Sequence, residues 1–188
     1  MNTKQKKFLK KNENLKIIMP PITINSGKLL VTDPSYGKDY IDSKMNLSLV
    51  LNVKKGKWKA YKEEREVDLW GWRIIRLVLV HMDHTLEEIE RVGGRQVAGN
   101  IGVDSGCAGM YDFDDFPEEN WMDNLDFGLD KDFSAVKYGV TSHSGLGDGS
   151  YDVYKVNRMG KTVFVEIEFI NEQKIEMCNK VLERQNEK

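Results

Sequence analysis

The chain has 188 residues with 30 acidic against 28 basic side chains and a formal net charge of -2. A chain of this length builds one core without covalent staples, and its near-neutral balance excludes the electrostatic footprint of a nucleic-acid polymer binder. Cys107 and Cys178 share no CxxC spacing, which excludes a disulfide framework and a cysteine-rich zinc site. The most apolar run, Ile74 to Val80, contains Arg76 and is too short to cross a bilayer, so a soluble protein of a reducing cytoplasm is expected.

In chain order, residues 1–16 form a lysine-rich N-terminal segment, and 17–188 are expected to form a single β-rich domain. Lys28 to Thr32 reads as a short strand ending at the turn Asp33-Pro34-Ser35-Tyr36-Gly37, where proline fixes one torsion and glycine frees another. Leu47 to Val53 and Lys57 to Tyr61 flank Lys54-Lys55-Gly56, a spacing that predicts a hairpin with Trp58 and Ala60 on its dry face. Trp72 to His81 is nearly continuous in apolar residues and predicts a central strand. Thr85-Leu86-Glu87-Glu88 is a capping box, so a short helix is expected to run to Val92 and stop at Gly93-Gly94.

Further strands are predicted at Arg95 to Asp104, Ala108 to Asp112, Ala135 to Ser142, Ser150 to Val156 and Thr162 to Ile170, the last two joined as a hairpin. Ile175, Cys178 and Leu182 have helical spacing and predict a C-terminal amphipathic helix lying on the sheet. The fold class expected is mainly β, a β-sandwich or partly open barrel, with one short helix and that terminal one.

Two loops concentrate chemistry between strands. Gly102 to Asp112 frames Asp104 and Ser105 with small residues, and Thr141 to Tyr151 carries His143, Ser144, Gly147, Asp148 and Gly149. Asp33, Asp104, Asp112 and Asp148 each sit at a strand edge, where a carboxylate accepting backbone N–H groups stabilises a turn. A facing cluster of them would require a cation or a shared proton. The glycine-rich turn lacks the lysine and the strand-to-helix context of a phosphate loop, but its N–H groups can still form an anion-binding nest.

Other constellations carry less. His81-Met82-Asp83-His84, completed by His143 or Asp104, lacks the HExxH spacing of a zinc site and straddles a strand end, so a structural role is expected. Phe116 and Pro117 exclude an EF-hand starting at Asp112. Ser144 and Ser105 as nucleophiles with His143 as base are disfavoured, because neighbours on an extended segment point to opposite faces and Ser142 faces with Ser144. Trp58, Trp70, Trp72, Tyr111, Trp121, Tyr151 and Tyr154 are candidates for a base-stacking wall, although aromatics chiefly pack cores.

Taken in order, Asp33-Pro34-Ser35-Tyr36, Gly102 to Gly109 and Ser144 to Tyr151 resemble an uncharacterised domain family common in phage and bacterial genomes. Its members look like a TDPCY-type turn, then GxW, a GVDSGQAG-type segment and SGxGDGSY before a closing strand. The resemblance covers roughly residues 28 to 170. Ser35 replaces the usual cysteine and Cys107 the usual glutamine. It implies a protein of the cytoplasm of a bacterial host cell and, by analogy, one that counters host defence by capturing or destroying a nucleotide signal.

Three functional expectations result. The first is a domain binding a small polar, nucleotide-like ligand through Asp33, Tyr36, Ser105, Ser144, Gly147, Gly149 and Tyr151, without a membrane and without a nucleic-acid polymer. The second is a phosphoester hydrolase in which Asp104 and Asp148 hold a divalent metal or act as acid and base while His143 moves a proton; no other cofactor is indicated. The third is an inhibitor of a host protein that uses the acidic segment 112–132.

Overall fold

Alternating apolar and polar residues build two antiparallel sheets that face each other, in a computed structural model describing residues 15–38, 41, 47–67, 70–117, 133–136, 138–171 and 173–177. The strands are β1 (Leu15–Ile24), β2 (Lys28–Thr32), β3 (Leu49–Asn52), β4 (Gly56–Glu66), β5 (Trp72–His81), β6 (Gln96–Val103), β7 (Cys107–Asp112), β8 (Phe133–Val136), β9 (Gly139–His143), β10 (Gly149–Arg158) and β11 (Lys161–Glu168), with helix α1 (Leu86–Val92) between β5 and β6. One sheet runs β1-β4-β5-β11-β10-β6 and the other β3-β2-β7-β9-β8. Neither closes on itself, so the architecture is mainly β and sandwich-like, as expected, and not a closed barrel.

The core fills the space between the sheets. Trp58, Ala60, Leu77, Leu79, Ile101, Val165 and Ile167 from the larger sheet meet Leu29, Val31, Ala108, Met110 and Val140 from the smaller. Strand β5 lies inside its sheet and is buried on both faces, because Val78 and Val80 on the outer side are covered by Leu86 and Ile89 of α1. This accounts for its continuous apolar run. The cap of α1 is the expected one: Thr85 Oγ1 accepts from Glu88 N at 3.1 Å, and Gly93 N donates to Ile89 O.

Beside α1 the outer face is ionic. Arg76 is buried and reaches Glu63 at 2.6 Å, Glu90 at 2.7 Å and Glu166 at 3.6 Å. Burial draws its pKa down, but the carboxylates of Glu166, Glu63 and Glu90 outweigh that and leave it raised, so the guanidinium stays charged.

Three expectations are corrected. The segments around β3 and β4 do not form a hairpin: β3 pairs β2 and β4 pairs β1 and β5, so Val53 to Lys55 carries the chain from one sheet to the other. Face alternation reports which side of a strand is dry and does not distinguish a hairpin loop from a sheet-crossing arch. The single strand expected over 135–142 is two antiparallel strands, β8 and β9, in register from Phe133↔Ser142 to Val136↔Gly139. Strand β1 was not expected, since Pro20 and Pro21 interrupt it; it stands at a sheet edge, with its register broken between Ile18 and Ile22, where missing N–H donors are tolerated.

At the C-terminus, 173–177 is helical and Ile175 packs against the core. Among the described residues no helix is long and apolar enough to cross a membrane. Lys4 to Lys11, the acidic stretch 118–132 with Trp121, and Cys178 and Leu182 lie outside the described residues.

Candidate functional site

The two chemistry-bearing loops are both sheet-crossing arches. Residues 104–106 lead from β6 in the larger sheet to β7 in the smaller, and 144–148 lead back from β9 to β10. Since β6 pairs β10 and β7 pairs β9, the arches must lie side by side. Ser144 N donates to Gly106 O at 3.0 Å, and Ser144 Oγ lies 3.1 Å from the same carbonyl and 2.5 Å from Gly147 O. Tyr151 Oη donates to Gly147 O at 2.7 Å, with its ring edge-on to Phe169.

Asp33 ties the first arch to the end of β2. Its Oδ1 accepts from Ser35 N and from Ser105 Oγ, both at 2.7 Å, and its Oδ2 accepts from Asp104 N and Ser105 N, both at 2.8 Å. Buried and fully engaged, this carboxylate organises backbone. Tyr36 Oη closes the same corner by donating to Asp104 Oδ2 at 2.6 Å. Asp112 does the equivalent work at the other end of the sandwich, where its Oδ2 accepts from Asn25 N and Ser26 N in the turn between β1 and β2.

The loops of Asp33, Asp104 and Ser144 therefore converge, while the side chains in them divide into two groups. Asp33, Tyr36, Ser105, Ser144 and Tyr151 spend their polar atoms on one another or on the arches. His143, Asp104, Asp148 and Gly149 are exposed. Asp148 makes no hydrogen bond or ion pair with the described residues. Among the described residues no three His, Cys, Asp or Glu side chains are grouped to hold a metal. Within the histidine motif His81 is committed to structure: its Nδ1 accepts from Asp83 N at 3.2 Å, which leaves Nε2–H to donate to Lys55 O at 3.0 Å, while His84 Nδ1 lies 3.7 Å from Glu88.

Cys107 and His143 face each other across β7 and β9, with Sγ 3.6 Å from Nδ1. The thiol is 5 % exposed. Burial, and then the negative charge of Asp33, push its pKa up to about 11, while a hydrogen bond from Ser105 opposes them. The neutral thiol therefore persists above the usual thiol range, and folding disfavours ionisation. Alkylation of Cys107 by iodoacetamide at pH 8, followed by peptide mass spectrometry, is expected to be about a hundredfold slower in the folded than in the urea-unfolded chain, and to accelerate toward pH 11. Equal rates at pH 8 would contradict this environment. By linkage, the stability that the protonated thiol contributes is complete below about pH 9 and is lost as pH rises through about 11.

A cleft of about 390 Å³ opens between the second arch and the adjoining ends of β4 and β5, walled by Glu64, Trp72, Arg73, His143, Ser144 and the glycines 106, 145 and 147. The volume suits a small molecule. Its shape depends on Gly145, whose φ is +72° and where an added Cβ would overlap the Ile74 carbonyl oxygen, so the arch rests directly on β5. Trp72 is 61 % exposed at the rim. Arg73 Nε is shielded from solvent and has no hydrogen-bond partner among the described residues. Glu64 is buried and ion-paired with Lys62 at 2.5 Å.

Of the aromatic candidates, Trp58, Tyr111 and Tyr151 are core, and Trp72 alone of the seven lines this cleft among the described residues. Sequence reasoning missed Arg73 and Glu64. The one available signal was the row of charges from Lys62 to Glu66 beside Arg73, which also reads as a solvated strand end. No family model, curated protein or solved structure matches the chain.

Proposed function

We propose that the protein binds a small, flat, anionic ligand of the nucleotide type in the cleft beside the second arch, and releases it unchanged. The observation that carries this reading is a cleft that Arg73 and the exposed indole of Trp72 both line, with Arg73 Nε shielded from water and without a hydrogen-bond partner among the described residues. Unsatisfied shielded donors are rare because they are costly, and a bound phosphate or carboxylate would satisfy this one. Trp72 supplies a face on which a base can stack. His143 adds a second nitrogen donor or acceptor to the wall.

Binding in place of cleavage is favoured because neither Asp104 nor Asp148 is among the residues that line the cleft, and Asp104 is engaged by Tyr36 instead. The motif resemblance to phage and bacterial domains supports a role in sequestering a nucleotide signal of host defence.

Calorimetry with AMP, GMP and inorganic phosphate tests the site. Arg73→Gln is expected to weaken nucleotide binding at least about tenfold, and Trp72→Ala to cost about 1–3 kcal/mol of it, with the nucleotide recovered intact by chromatography. Failure of all three probes to bind, or binding by Arg73→Gln equal to that of the unmodified protein, would overturn the assignment.

A further inference from the structure

We infer that Cys107 and His143 form half of a tetrahedral zinc site on the outer face of the smaller sheet, with two positions left open to water or an anion. The two residues are direct partners in the β7–β9 register, so their side chains leave the same face of adjacent strands. Alternation turns that face away from the core, into which the neighbouring Ala108 and Met110 point. Sγ lies 3.6 Å from Nδ1, and the imidazole makes no other hydrogen bond or ion pair with the described residues.

That separation selects the ion. Zinc binds a thiolate at about 2.3 Å and an imidazole nitrogen at about 2.0–2.1 Å, and a tetrahedral angle between those bonds puts sulfur and nitrogen about 3.6 Å apart. A linear two-coordinate ion with bonds of the same lengths would hold them about 4.3–4.4 Å apart, which disfavours a soft monovalent cation. One sulfur and one imidazole also suit zinc as a donor pair. The negative charge of Asp33, which helps to hold the proton on the buried thiol, favours a cation at the same sulfur. His143 is exposed, which gives the ion a way in. Binding exchanges a proton for the metal: the S–H bond breaks, an S–Zn bond forms, the proton passes to buffer and no oxidation state changes. No third His, Cys, Asp or Glu is grouped with the pair among the described residues, so the site is open and weaker than a closed one with four protein ligands.

Titration of the metal-free protein with Co²⁺, a spectroscopic stand-in for zinc, tests the site. A thiolate-to-cobalt charge-transfer band in the near ultraviolet is expected, together with the strong visible bands of a tetrahedral ion, and Zn²⁺ should displace both. Calorimetry of Zn²⁺ binding at pH 8 in buffers of different ionisation heat should show about one proton released per ion, the one that the thiol gives up. Cys107→Ala is expected to abolish the band, His143→Gln to weaken Zn²⁺ binding at least about tenfold, and Cys178→Ala to leave both unchanged. Because His143 is exposed, its replacement tests the site even if Cys107→Ala folds poorly. Absence of a thiolate band at millimolar Co²⁺, a band that survives Cys107→Ala, or Zn²⁺ binding by His143→Gln equal to that of the unmodified protein overturns the site. The nucleotide titrations contain no added metal, so the two readings fail separately.

Discussion

Replacing Asp33 by alanine is expected to destabilise the protein by about 2–4 kcal/mol, because several partly buried donors lose their acceptor together, each at up to about 1–3 kcal/mol before water and relaxation offset it. The carboxylate accepts four hydrogen bonds, from Ser35 N, Asp104 N, Ser105 N and Ser105 Oγ. Asp33→Asn keeps the shape but turns an N–H₂ toward donors at one of the two oxygen positions, so its loss should lie between that of alanine and none. Urea denaturation followed by tryptophan fluorescence gives both values. A loss below about 1 kcal/mol for Asp33→Ala would mean that the arch holds itself, and the ranking of the two variants would then carry no information. Because Gly106 in the same arch lines the cleft, the nucleotide binding proposed for that cleft is also expected to weaken in the alanine variant.

The other large effect belongs to Trp58→Ala, expected at about 3–5 kcal/mol for removal of a fully buried indole. The ring stands edge-on to His81 with centroids 5.4 Å apart, and Nε1 donates to Lys54 O at 3.1 Å, in the segment that carries the chain from β3 to β4. Alanine thus leaves a cavity and also an unpaired carbonyl in that crossing. Trp58→Phe retains most of the ring and loses only the hydrogen bond, for which about 1 kcal/mol is expected beyond repacking. Guanidinium denaturation at equilibrium separates the two contributions. A loss under about 0.5 kcal/mol for the alanine variant would be incompatible with a core position.

What could be read in the sequence follows from how local its causes are. β2, β5 and α1 emerge from neighbouring residues alone: a β-branched run stopped by proline, a run apolar on both faces, and a threonine three residues before a glutamate. The crossing between β3 and β4 is invisible because Lys54-Lys55-Gly56 suits a hairpin equally well, and the partners that hold that segment in place include Gly27, His81 and Thr162, all distant in sequence. Arg76 interrupts an apolar strand in the sequence, and its partners Glu63, Glu90 and Glu166 come from three other elements.

The candidate site divides in the same way. Glycine and aspartate marked the arches correctly, but the same composition serves a turn that satisfies itself and a turn that waits for a ligand. Asp33 was read as a ligand contact and proves to be occupied by its own neighbours. Arg73 and Glu64 gain meaning only from Gly145 and His143, some seventy residues away, and no pattern along the chain announces that meeting.

Among the described residues the chain passes between layers four times, at 25–27, 53–55, 104–106 and 144–148. The crossings form two pairs, one at each end, each laced by a backbone bond: Val53 N to Gly27 O and Ser144 N to Gly106 O. Neither layer is expected to peel away while the other survives, since each of these four crossings is anchored in both sheets. Melting of such a molecule is a single all-or-none event, and its assembly has to wait for pairings distant along the chain, which places it among slow folders.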